Sequence, residues 1–90
     1  MNIDYENLER DIADGTLRLN LEEELTAGFR QIQQTGERLP VASHYAAQIA
    51  EIINRNATLS STMQFELYQE VLEAVEGARV AVLGEVAGPS

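Results

Sequence analysis

Two stretches of this chain repeat their apolar residues at the helical period over half of the helical wheel, and that pattern limits the fold more than any other feature. Between Pro40 and Asn56, the residues Val41, Ala42, Tyr45, Ala46, Ile49, Ala50, Ile52 and Ile53 fall on one half of the wheel. Ser43, His44, Ala47, Gln48, Glu51, Asn54 and Arg55 fall on the other. From about Thr62 to Leu83, Phe65, Leu67, Tyr68, Val71, Leu72, Ala74, Val75, Ala78 and Val82 make a second such arc opposite Glu66, Gln69, Glu70, Glu73 and Glu76. Two amphipathic helices of this kind cannot bury their arcs alone. In a chain of 90 residues they must bury them against further helices or against another chain.

The sequence supplies two further candidates. Leu21, Leu25, Gly28, Phe29 and Ile32 define an amphipathic helix closed by Gly36, with Asn20 and Glu23 spaced as a capping box and Glu22, Glu23 and Glu24 in its first turn. Tyr5, Leu8 and Ile12 define a short one, Asp4 to Asp14, capped by Asp4 and stopped at Gly15. Thr16-Leu17-Arg18-Leu19 reads as an extended connector between them, and Asn56 to Ser61 as a second connector. There Ser61 with Gln64 is a capping box, and Ser60 is the rival cap. Gly77 weakens the last helix by about 1 kcal/mol, so a strand over Arg79–Val86 competes with the continuous helix, which is the reading kept. The expected fold is all-α: three main amphipathic helices and a short N-terminal one, antiparallel to their neighbours. A single domain covers 1–83, with a flexible tail over 84–90.

Charge narrows the function classes. Fifteen acids face six basic residues, all arginine, for a formal charge of −9. Such a surface repels phosphate backbones and anionic lipids, so neither direct nucleic-acid binding nor a membrane role is expected. A protein partner with a basic face is. The acidic opening MNIDYENLERD lacks a signal peptide's basic and apolar regions, and a cytoplasmic location is the expectation.

No arrangement points to catalysis. There is no cysteine and one histidine, His44, without an HExxH pattern, so no metal or cofactor is expected. Asp11-Ile12-Ala13-Asp14-Gly15 lacks the ligands of a calcium loop. Glu66, Glu70, Glu73 and Glu76 form an acidic ridge along one helix rather than a pair of carboxylates held apart in a cleft. An acidic helical domain of this size invites comparison with acyl carrier proteins, whose attachment serine lies in an Asp-Ser-Leu tripeptide. None occurs here, and Thr58-Leu59-Ser60-Ser61 does not replace it, so no family resemblance is drawn.

The expected function is that of a small acidic non-catalytic protein-binding module: a stoichiometric inhibitor of the antitoxin, immunity or phage-encoded antagonist type. It would occupy a basic surface through Glu66, Glu70, Glu73 and Glu76 with Glu22 and Glu23, and through the polar strip His44, Gln48 and Glu51. The alternative is a homodimeric scaffold subunit with Leu67, Val71, Ala78, Arg79 and Val82 at its interface. Arg79 is expected at the centre of the apolar arc, reaching a partner chain or snorkelling past the helix end. A helix-turn-helix regulator ranks third, because the second of the two helices within Leu21–Asn56 offers only Arg55 as an outward basic group.

Overall fold

A computed structural model describes residues 3–87, and these form a helical bundle with no strand. A 3-10 turn over Tyr5–Asn7 leads into α1 (Leu8–Asp14), followed by α2 (Thr16–Gln34), α3 (Ala42–Asn56) and α4 (Ser61–Ala87). Among the described residues no helix is long and apolar enough to cross a membrane.

The corner between α1 and α2 is tighter than the sequence suggested. Gly15 takes φ +83°, a left-handed conformation, and the Asp14 carboxylate accepts the Thr16 amide at 2.9 Å. The chain therefore re-enters a helix at once, and Thr16–Leu19 is the first turn of α2 rather than an extended connector. Asn20 sits inside the helix instead of capping it, and Glu22–Glu24 lie beyond its first turn. The correction has a packing reason. Leu17 joins Leu21, Leu25 and Phe29 in a buried row at a spacing of four, whereas Leu19 points to solvent.

Pro40 precedes α3, and extended Val41 is the N-cap residue. At α4 the rival cap is the real one: Ser60 Oγ accepts the Met63 amide at 3.2 Å, while Gln64 reaches back to the Leu59 carbonyl. α4 passes Gly77 without a break and continues through Arg79, so the strand alternative does not form. The helix also takes in Gly84 to Ala87, residues expected in the tail; the rest of that tail lies outside the described residues.

At 1.5 Å per residue α4 is about 40 Å long, and it sets the 45 Å long axis of the molecule. It is the central element, packed along α2 on one flank and α3 on the other, while α1 bridges α2 and α4. Arg18 meets Glu70 and Glu73, and Arg30 meets Glu85, so α2 and α4 run parallel. The four-residue connector makes α3 antiparallel to both. The wide arc of α4 is thus used inside one chain. Leu67, Val71, Ala78 and Val82, expected at an interface between copies, are fully buried with Ala74 and Val75 in the core of the monomer. The arc of α3 is narrower than its composition: Ala42, Ala46, Ile49, Ala50 and Ile53 are buried, but Val41 is 65% and Ile52 55% exposed. Phe65, counted in the arc of α4, is 66% exposed.

Candidate functional site

Charge compensation between helices decides which acids remain free to act. Arg18, on the first turn of α2, donates to Glu73 Oε2 at 2.7 Å and lies 3.8 Å from Glu70. This hydrogen bond, with the charges of Glu70 and Glu73 beside it, raises the guanidinium's pKa further. Arg30 grips Glu85 with two nitrogens, Nε to Oε2 at 2.9 Å and Nη2 to Oε1 at 2.6 Å, which pushes the Glu85 carboxyl below its ordinary range. Arg55 holds Glu51 at 2.6 Å, and Arg79 and Arg10 lie 3.6 and 3.7 Å from Glu76 and Asp11. Only Arg38 is without such a partner among the described residues, and its neighbour Glu37 offsets it formally.

These pairs change the predicted site. The ridge Glu66, Glu70, Glu73 and Glu76 is not a run of free carboxylates: Arg18 from α2 engages its middle and Arg79 its end, and among the described residues only Glu66 of the four is without an ion pair. Of the polar strip on α3, Glu51 is tied to Arg55. His44 lies 3.1 Å from Gln48, nitrogen to nitrogen, at the other end of the helix. Arg79 stands at the margin of the buried arc rather than its centre. Its side chain is 27% exposed, its Nη1 is the atom near Glu76, and its buried Nε has no hydrogen-bond partner.

Because the other five arginines are offset by five acids, the formal charge of −9 falls on an acidic half of the chain, the N-terminal segment and the N-terminal halves of α2 and α4. It is carried by Asp4, Glu6, Glu9 and Asp14 on the N-terminal segment, by Glu22, Glu23 and Glu24 on α2, and by Glu66, Glu70 and Glu73 on α4, less Arg18. The Glu22 carboxylate lies against Gly77 of α4, next to Glu76, whereas Glu66 lines a depression with Ile12 and Ala13 of α1. Two of these acids have local tasks. Asp4 accepts from the Asn7 side chain at 2.6 Å and from the Glu6 amide at 3.2 Å; Asp14 caps α2. Both carboxyls titrate below the ordinary aspartate range, because hydrogen bonds from Asn7 and Thr16 favour their charged forms.

Sequence reasoning missed Asp4, Glu6 and Glu9 as part of this surface. The signal was present in part: Glu51–Arg55 and Glu76–Arg79 are visible at helical spacing, but the Arg18 and Arg30 pairs join residues 55 apart.

Beside the acidic half, α2 and α3 meet sparsely. Phe29 and Tyr45 touch with ring centroids 5.6 Å apart and planes tilted by 58°. Next to them lies a depression of about 200 Å³ lined by Glu24, Leu25, Gly28, Phe29, Ile32 and Tyr45. Among the described residues no group of three or more metal-ligating side chains comes together. Comparison with known protein families, curated proteins and solved structures finds no match for this chain.

Proposed function

We propose that this chain is a non-catalytic protein-binding module, acting stoichiometrically by covering a basic surface of another protein with its acidic half. One observation carries the reading: Asp4, Glu6, Glu9 and Asp14 of the N-terminal segment and Glu22, Glu23 and Glu24 of α2 make no ion pair among the described residues, whereas five of the six arginines are engaged with other acids. Net charge serving solubility alone needs no such sorting. A field concentrated on one half raises the association rate for a cationic partner and disfavours anionic ones. The inhibitor type, with antitoxin, immunity or phage-encoded antagonist as its forms, fits this mode, because masking a basic site requires surface and charge but no reacting group.

The test is capture of partners by the immobilised protein from a lysate of the organism that encodes it, at low and high salt, read by mass spectrometry. The expected result is a basic protein retained at low salt, released at high salt, and lost on the combined substitution of Glu23, Glu24 and Glu66 by lysine. Retention unchanged by that triple reversal refutes the acidic half as the binding surface. Recovery of the protein alone, as a sharp dimer, moves the weight to the homodimeric scaffold.

A further inference from the structure

We propose that the depression between α2 and α3 seats a short basic amphipathic helix supplied by the partner protein; this rests on the acidic protein-binding reading above and specifies the partner's contacting element. The protein already shows how this side of α2 receives a helix. Leu8 and Ile12 of α1 are buried in the core shared with Leu17 and Leu21, and the start of the N-terminal segment, Ile3 and Asp4, lines a first depression with Asp11, Leu17, Asn20, Leu21 and Glu24. Glu24 lines the second depression as well, so the two are consecutive along α2. At 1.5 Å per residue α1 is about 10 Å long against about 28 Å for α2, and the surface it uses continues past its end.

The continuation has the form of a helix-packing site. Leu25 and Phe29, already buried in the core, floor the depression, and exposed Gly28 with half-buried Ile32, three and seven residues after Leu25, form the open edge that an incoming helix meets. Gly28 is the low point: a Cβ built there meets nothing within 4 Å, so an incoming side chain can approach the backbone of α2. Tyr45 forms the opposite wall, and exposed Val41 is the N-cap residue of the same helix.

Charge selects the occupant. Glu24 is the one ionised residue of the lining; Glu23 beside it and Asp4 beyond it have no arginine partner among the described residues. The matching helix carries apolar residues over Leu25–Ile32 and lysine or arginine over Glu23 and Glu24. A second copy is the poorer fit, since it brings another chain of charge −9 against the acidic part of α2.

The probe is a synthetic, terminally blocked helical peptide of about fourteen residues, with leucines at i, i+3, i+4 and i+7 and lysines on both flanks. Its control has the same composition with the leucine positions scrambled. Binding is read by fluorescence polarisation and by amide chemical shifts of the full chain. The expected result is about tenfold tighter binding of the amphipathic peptide, with shifts at Gly28, Phe29, Ile32 and Tyr45. Gly28→Leu, which occupies the open space on an exposed helical position, lowers that affinity about tenfold with an unchanged circular dichroism spectrum. The shift map does not depend on any variant folding.

Equal affinity for the two peptides, with shifts confined to the acidic residues, overturns the groove and leaves the acidic-surface reading standing. Absence of binding by both peptides at low salt overturns the groove too, and the lysate experiment then decides the broader reading on its own terms. A dimer in sedimentation whose contacts map to Gly28 and Tyr45 overturns it in favour of a second copy.

Discussion

Gly77 is where the parallel pair α2 and α4 can be tested most sharply, because two opposing effects there have comparable size. Replacing glycine by alanine within a helix stabilises it by about 1 kcal/mol when the new methyl meets nothing. At Gly28 that condition holds, and Gly28→Ala should give the full gain, which in a domain of this size raises Tm by roughly 4–8 °C. At Gly77 a Cβ would lie 2.6 Å from Glu22 Oε1 and 2.9 Å from its Cδ, too close to stand. The obstacle is the far end of a flexible side chain, so Glu22 turns away, at a cost of about 0.5–1.5 kcal/mol if it leaves its rotamer well. Gly77→Ala should therefore come out near neutral. With Glu22→Ala already present the obstacle is gone, and Gly77→Ala should recover about 1 kcal/mol, a coupling that urea or thermal unfolding of the four proteins in the cycle measures directly. If Gly77→Ala loses more than about 1 kcal/mol even in the Glu22→Ala background, the close approach is made by backbone or a fixed side chain, and the packing of α2 on α4 described above is wrong.

Three further outcomes follow from the same structure. Ser60→Ala should cost about 1 kcal/mol by removing the cap on the Met63 amide, whereas Ser61→Ala, already inside α4, should leave the urea midpoint nearly unchanged. Leu67→Ala, at a position with no solvent exposure, should cost about 2–5 kcal/mol; against a total of roughly 5–13 kcal/mol for a chain of this length, that is a large shift in the denaturation midpoint. Asp14 has a lowered pKa in the folded state, so its contribution is complete above the ordinary aspartate range and is lost as pH falls through the folded value. The gap in urea midpoint between the natural protein and Asp14→Ala should accordingly close as pH is taken from about 7 to about 2.

How much of this was legible beforehand differs from element to element, for identifiable reasons. The periodicity of Ala42–Ile53 and Leu67–Val82 named nearly every buried residue of α3 and α4, because burial of one face is what produces the period. The same wheel overstated Val41, Ile52 and Phe65. A wheel gives the direction of a side chain but not whether anything lies in that direction, and α3 packs chiefly along α4, leaving its margins to solvent. The entry into α2 was misplaced because Asn20 and Glu23 satisfy a local capping pattern as well as Gly15 and Asp14 do. The choice between them was made by Leu17, whose burial beside Leu21 only a docked helix provides.

The acidic surface shows the same division between local and spatial information, with a larger functional consequence. Composition fixes the net charge but not its location, and the four-three spacing of Glu66, Glu70 and Glu73 makes α4 look like the place where it accumulates. That inference holds only if nothing basic comes near. The buried row Leu17, Leu21, Leu25 and Phe29 sets α2 parallel to α4 and so brings Arg18 beside Glu70 and Glu73, as well as Arg30 beside Glu85. Apolar packing thus decides which carboxylates are compensated, and those left without an ion pair lie on the N-terminal segment, on α2 at Glu22–Glu24 and at Glu66 of α4. The potential around the protein is shaped by its core, so on the proposed reading a substitution that slides α2 along α4 would relocate the surface offered to a partner without altering one charged residue.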